Sequence, residues 1–426
     1  MYDLKQRMYD NQLSICSVNV NLYDVFSDSV LNMKRLMILG ASEFQIPLIE
    51  SARRRGIQTC VLDINPQAPA RYLSDEFHVC SIRDYNKVLG IAEQYMPDGI
   101  TAGMCDVAVL TVARICERLN LPGLDVETAI KATDKYAMIK AFSSNNVPCP
   151  GFKLLNRSDN FDEFEVPWLP FIVKPVDMAG SRGINLVKDV NEKSALIKDS
   201  ISASDSGNVI FEEYLVGPEV SVEMVVINHH PIVLQITEKI TSGAPHFVEM
   251  GHIQPARLSN ETRKSIVNVA ESAVRSIGLK NSIVHAEIII TDSGPKMVEL
   301  GARMGGDGIQ QQLIKLSAGI DLPSFAVDLA LGLPLNVPIP TTKKYSMIRF
   351  IPSIAGEIRS IEINIQMNQV EGLIGYKLFC KCGDVFEEKN DNSGRFGYVL
   401  AQGDSYEDVV NSCKESIDYI RINVKN

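Results

Sequence analysis

The chain has 426 residues, 45% hydrophobic and 22% charged, with a formal net charge of −10. That length exceeds one ordinary core and predicts roughly two to four domains. The acidic balance argues against nucleic-acid partners, and no apolar run reaches the ~18 residues of a membrane-spanning helix. The nine cysteines show no zinc-type spacing. Cys380 and Cys382 lie one residue apart in an apolar, strand-like run. Scattered core thiols in a reducing cytoplasm are the expected reading, with a metal or redox site as the alternative.

Residues 1–32 have acidic residues at both ends and no clean apolar stretch before a small-residue cleavage site, unlike a signal peptide. They read as a poorly packed extension ahead of "MKRLMILG". In chain order, "RLMILG" predicts a buried strand and "EFQIPLIESARRRG" an amphipathic helix stopped at Gly56. "QTCVLDI" predicts a second strand, "YNKVLGIAEQY" a helix, "DGITAGM" a third strand, and "DVAVLTVARICERLN" a helix. Strand–helix alternation with short connections implies a parallel, doubly wound, Rossmann-like domain over residues 33–125. Gly40 and Asp63 resemble the start of a dinucleotide site. "GASEFQIP", however, lacks the further glycines that admit a pyrophosphate. A structural wall of a substrate cleft is therefore favoured.

The texture changes from about Asp125. "DVETAIKATDKYAMIKAFSSNNV" predicts a helix with Asp125 as cap, and "PFIVKPVDMAGSRGINLVKD" reads strand, glycine loop, strand. Strands dominate from Val209 to about Gly332, with helices at "ETRKSIVNVAESAVRSIG" and "GIQQQLIKLSAGI". These features predict an α+β domain over 126–335. A smaller α+β domain over 336–426 closes with an amphipathic helix, "SYEDVVNSCKESIDYIRI".

Several residues carry chemistry. In "KMVELGARMGGDGI" a strand ends at Glu299, with Arg303 close behind. "SIVHAEIIIT" brings Glu287 on a second strand. Two such carboxylates beside an arginine suit a divalent cation that shares its oxygens with phosphate. Lys174 ends the strand before "AGSRG", where Gly180, Ser181 and Gly183 allow backbone amides to close on phosphate oxygens. A hairpin turn beside a solvated lysine is the competing reading. "VIFEEYLVGPEVSVEMVV" places Glu213, Leu215 and Glu219 around a turn that could seat a flat base and a ribose, or else form a charged hairpin. Lys135, behind Asp134, reads alone as a solvated helical lysine.

Taken in this order and at these distances, the lysines, glycine loop, "EEYLVGPE", and "ELGAR" resemble the ATP-grasp superfamily. The similarity runs from about Met33 to the end and is strongest to the branch of L-amino-acid ligases and phosphoribosylglycinamide-synthetase-like and biotin-carboxylase-like proteins. It implies a Rossmann-like preATP-grasp domain, an ATP-grasp fold of two α+β subdomains clasping ATP, and a C-terminal α+β extension. It also implies that Lys135 and Lys174 contact the nucleotide phosphates under the loop of Gly180, Ser181 and Gly183. Glu213 and Leu215 would hold adenine, and Glu219 the ribose. Glu287 and Glu299 would bind Mg2+ or Mn2+, with Arg303 stabilising an acyl-phosphate. Many relatives place asparagine where this chain has Gly301, and Asp307 is a partial substitute or a turn residue.

The reaction implied is ADP-forming ligation of a small-molecule carboxylate to an amine. A biotin-dependent carboxylase and a nucleotide-binding regulator without catalysis are the competing readings. In "SGAPHFVEMGHIQPARLS", His246, Glu249 and His252 are candidate substrate contacts, or the histidines are incidental to a surface loop. A homodimer is among the assemblies the sequence allows.

Overall fold

The computed structural model describes residues 33–160, 164–165, 167–389 and 391–425. The expectation for residues 1–32 lies outside them. Residues 35–426 form one compact unit.

The first sheet is parallel, in the order Glu76–Val79, Gln58–Asp63, Arg35–Leu39, Gly99–Thr101. The expected strands and helices are present, but there are four strands. "EFHV", at Glu76–Val79, had no recognisable pattern because this edge strand has no buried residue among its four. Buried Met37, Leu39, Cys60 and Leu62 pack on one side, against helices Tyr85–Tyr95 and Asp106–Leu119. This is the period-two alternation of strands buried on both faces.

The predicted helix after Asp125 divides in two. Asp125 accepts from Thr128 N to cap Val126–Lys131, and Asp134 accepts from Ala137 N to cap Lys135–Ser144. The second cap fixes where Lys135 begins its helix, and Lys135 N donates to Val176 O at 2.9 Å.

Three antiparallel sheets follow, one of them a small three-stranded sheet in the order Val385–Phe386, Gly356–Ile363, Ile420–Lys425. The other two flank a cleft. The smaller of these two runs Phe152–Leu155, Val209–Glu213, Phe171–Pro175, Asn185–Val187. The larger has eight strands, beginning Gly294–Gly301, Ser282–Thr291, Glu219–Ile227, His230–Thr241, Glu249–Gln254. It continues through Tyr345–Pro352, Arg395–Gly403 and Leu373–Leu378, so it draws strands from both sides of residue 336. The last helix ends at Asp418, and Ile420–Lys425 forms a strand instead of extending it. Its alternating Ile420, Ile422 and Val424 pack on one small core, which a helix could not do.

One face of the large sheet is apolar. Val220, Val222, Met224, Ala286 and Ile288 pack with Ile266, Ala270 and Val274 of helix Asn260–Ile277. The other face is polar, because register brings Glu219, Ser221 and Glu223 beside His285 and Glu287, and beside Thr237. Deeply buried strands that still carry a polar residue at every second position are the local signature of a site.

The parallel sheet packs tightly on helix Leu322–Ala330. A Cβ at Gly99 would lie 2.1 Å from Ala330 O. Gly99→Ala is expected to destabilise the fold by about 1–3 kcal/mol, the cost of overpacking. Urea denaturation checks this, and an unchanged midpoint contradicts it.

Candidate active site

The cleft, of about 650 Å3, opens between the four- and eight-stranded antiparallel sheets, with Asp106 and Arg303 at its wall. Of the residues singled out from the sequence, Lys174, Gly180, Ser181, Leu215, Glu219, Glu287, Glu299 and Arg303 line it. Lys135 lines a small adjoining recess together with Lys174, Gly180, Ser181 and Glu299.

Glu287 and Glu299 are register partners on antiparallel strands, so both carboxylates leave the same face. Each is held by a lysine. Lys135 Nζ lies 2.8 Å from Glu299 Oε1 and donates to Met178 O at 2.6 Å. Lys239 Nζ lies 2.5 Å from Glu219, 2.9 Å from Glu249 and 3.0 Å from Glu287. Burial opposes charge on Lys239, but these three carboxylates raise its pKa well above the ordinary value. Glu287 is likewise penalised by burial, yet Lys239 and His285 hold its carboxyl well below the usual range.

His285 extends this arrangement inward. Its Nδ1 lies 3.0 Å from Glu223 Oε2 and its Nε2 3.2 Å from Glu287 Oε1. Both contacts require a donor, and imidazolium has two. Burial works against that charge, but Glu223 outweighs it and the pKa rises to about 10. Glu223 is fully buried and also accepts from Ser221, Thr237 and Gln310. Gln310 lies in a π-helical turn, Ile309–Leu313, that opens the helix expected there.

Lys174 Nζ pairs with Glu212 Oε2 at 2.8 Å, both buried. Lys174 registers with Ile210, two residues before Glu212, so the pair are diagonal neighbours on one face. The loop after Lys174 has positive φ at Gly180, Ser181 and Gly183. A Cβ at Gly180 would meet nothing within 4 Å, whereas one at Gly183 would meet Ala203 Cβ at 2.6 Å. Gly180 thus leaves the cleft side open, and Gly183 serves packing. At the far end, Tyr214 and Phe247 place ring centroids 6.2 Å apart, and Ile172, Leu215 and Ile289 complete an apolar wall suited to a flat base.

Four residues stand elsewhere. Glu213 points from the opposite face of its strand, to Lys296 at 3.1 Å and Gly151 N at 3.2 Å. Its neighbour Glu212 faces the cleft instead. His246 is exposed on a loop beside Phe247. His252 is completely buried, 3.7 Å from both Glu249 and Asp307, and does not line the cleft. Asp307 pairs with Arg395 at 2.8 Å. Burial opposes its charge, but His252 and Arg395 hold its carboxyl far below the ordinary range. Lys239 and Asp106 were not singled out in advance, whereas Glu249, a candidate substrate contact, does line the cleft. The polar alternation of its sheet could have flagged Lys239, but nothing local marks Asp106.

Arg303 donates from Nε to Asp106 Oδ1 at 2.6 Å and from Nη2 to Oδ2 at 2.5 Å. This is a two-pronged clamp of the guanidinium by the first residue of helix Asp106–Leu119.

Two family models match the chain: an ATP-grasp domain over residues 168–311 and L-amino acid ligase C-terminal domain 2 over 349–425. The chain thus contains an ATP-grasp domain. An uncharacterized protein of Sinorhizobium fredii is 25% identical over 385 residues, covering 87% of this chain and 79% of the relative. Alanine–anticapsin ligase of Bacillus subtilis is 27% identical over 303 residues, 62% of this chain and 63% of that protein. The chain therefore spans somewhat less than two thirds of that ligase. An L-amino acid ligase structure from Bacillus licheniformis superposes with a TM-score of 0.78 at 24% identity, covering 92% of this chain and 99% of that one. The biotin carboxylase domain of Hydrogenobacter thermophilus 2-oxoglutarate carboxylase, a dimer with MgADP and bicarbonate, superposes at 0.73 with 16% identity over 92% of this chain and 91% of that one. These likenesses establish the ATP-grasp fold. Among the described residues no helix is long and apolar enough to cross a membrane.

The Glu223–His285 pair sets a pH dependence. His285 has a higher proton affinity folded (about 10) than at its ordinary 6.5. Its contribution is therefore complete below pH 6.5 and lost as pH rises through about 10. His285→Gln should cost about 3 kcal/mol or more at pH 6, because Glu223 is left buried without its charge partner. The gap to wild type should narrow across that window in urea titrations at stepped pH. A gap independent of pH means that the imidazole is neutral.

Proposed function

We propose that this ATP-grasp protein is an ADP-forming ligase that joins a small-molecule carboxylate to an amine through an acyl-phosphate. The observation that carries the reading is the facing of Glu287 and Glu299 across paired strands, below the loop of Gly180 and Ser181, with Lys135, Lys174 and Arg303 around them. Adenine lies between Tyr214, Phe247 and Leu215 in this reading, and Glu219 faces the ribose. Glu213 supports the strand from behind. Two carboxylates on one face offer the oxygen donors that Mg2+ or Mn2+ takes, and Glu287 and Glu299 would hold it. When bound, that cation neutralises phosphate charge.

The chain's own residues do the rest. Phosphoryl transfer asks a protein for positioning and charge neutralisation. Lys135 and Lys174 supply cations at the phosphates, and the loop closes over them to exclude water. The substrate carboxylate attacks the γ-phosphorus and breaks its bond to the bridging oxygen, releasing ADP. Arg303 stabilises the charge on the transferring group. The amine then attacks the acyl carbonyl, gives up a proton, and phosphate leaves. Glu249 is placed to accept that proton. It lines the cleft, and burial raises its carboxyl above the ordinary range despite Lys239. A group of raised pKa is the better base. His252 and Asp307 buttress Glu249.

A screen of carboxylate and amine pairs for ADP release tests the reading. Release that needs both substrates supports it. Release with bicarbonate and biotin alone points to a carboxylase, and none with any pair points to a regulator. Glu299→Gln should abolish metal-dependent ADP formation with the fold intact by circular dichroism. Lys174→Ala should weaken ATP binding by about 1.5–3 kcal/mol, the worth of a charge-assisted contact. Because Glu212 loses its partner there, calorimetry is run on Lys174→Ala/Glu212→Gln as well. Wild-type affinity in both contradicts the role.

A further inference from the structure

Gly301 ends the strand that carries Glu299, two residues further on the same face. It is not among the glycines with positive φ, so its backbone would accept a side chain. Space is what it lacks. A Cβ there would lie 3.0 Å from Arg303 Cζ and 3.2 Å from Asp106 Oδ1. The oxygen of a short amide side chain stands roughly 2.4 Å from its own Cβ by ordinary bond lengths. The Asp106 carboxylate thus occupies the neighbourhood that such an oxygen would reach, although it comes from a helix of the parallel-sheet domain.

The chemistry of the cleft gives this position a use. A magnesium-type cation takes about six oxygen ligands, and Gly301 adds none beside Glu287 and Glu299. Asp106 lines the same cleft as both glutamates. Its two bonds to Arg303 use one acceptor site on each oxygen. A carboxylate has about four such sites, so two remain free while the clamp persists.

We propose that Asp106 is an oxygen ligand of the cation held by Glu287 and Glu299, directly or through one water, in place of the side chain that Gly301 lacks. The proposal rests on the nucleotide–cation reading of the cleft and not on ligation of an amine. It makes Gly301 and Asp106 a linked pair, since a side chain at 301 and the carboxylate at 106 compete for one space.

The test titrates Mn2+ into the full chain saturated with ADP and reads free Mn2+ by electron paramagnetic resonance. ADP binding without metal is measured by calorimetry. Asp106→Ala should weaken Mn2+ binding by about tenfold or more, as loss of even an outer-shell partner does, with metal-free ADP affinity unchanged. Adding Gly301→Asn to that variant should restore most of the loss, whereas Gly301→Asn alone should not improve on wild type. Asp106→Asn, which keeps an acceptor for Arg303, should also lose Mn2+ affinity if the alanine variant fails to fold. Unchanged Mn2+ affinity in the Asp106 variants overturns the proposal. So does an equal loss of metal-free ADP binding, because Asp106 would then act only through Arg303. A wild-type protein that binds ADP neither with nor without Mn2+ overturns the nucleotide reading instead.

Discussion

Glu219, Glu249 and Glu287 converge on one buried point, and they can do so only because Lys239 sits among them. Carboxylates brought together in a poorly solvated site repel one another and would otherwise take up protons. A single lysine within 3.0 Å of all three keeps the cluster compact. The same device recurs around it, with Lys135 on Glu299, Lys174 on Glu212 and Arg303 on Asp106. Burying such pairs does little for net stability and can reduce it. Their value lies in fixing where charge stands before a substrate arrives.

Sheet geometry makes this possible. Because side chains alternate, one face of the strands 219–227, 230–241 and 282–291 serves the core while the other serves the cleft. Ser221, Thr237 and Gln310 solvate Glu223 from inside the protein. Glu223 in turn holds His285, and His285 holds Glu287. An orienting chain of this kind limits the side-chain freedom that a metal or phosphate would otherwise have to remove on binding.

The fold was largely legible because its signals are local. Apolar runs, caps such as Asp134, and a glycine loop after a strand-end lysine each act within a few residues. The strand-end carboxylates were legible for the same reason. Glu212 was passed over for Glu213 because parity decides which neighbour faces a cleft, and parity depends on register with another strand. Asp106 was invisible because its partner Arg303 is 197 residues away in sequence. Lys239 reads as an ordinary lysine in "ITEKIT" until three strands are paired. His252 looked reactive in a glycine-rich segment, but that segment forms strand Glu249–Gln254, with His252 completely buried.

These pairs also constrain how ligands can enter. Lys135 and Lys239 already neutralise the carboxylates that a cation would need, and Glu212 already neutralises Lys174. Under the proposed reading, a cation arriving alone would compete with two ammonium groups for Glu299 and Glu287. A nucleotide arriving alone would compete with glutamates for the lysines. Arriving together they allow an exchange of partners, lysines to phosphate and glutamates to cation. Lys135, buried and now paired with Glu299, is then not left alone, which is the costly outcome. In that reading the network of pairs favours joint occupation of the cleft by nucleotide and cation over either alone.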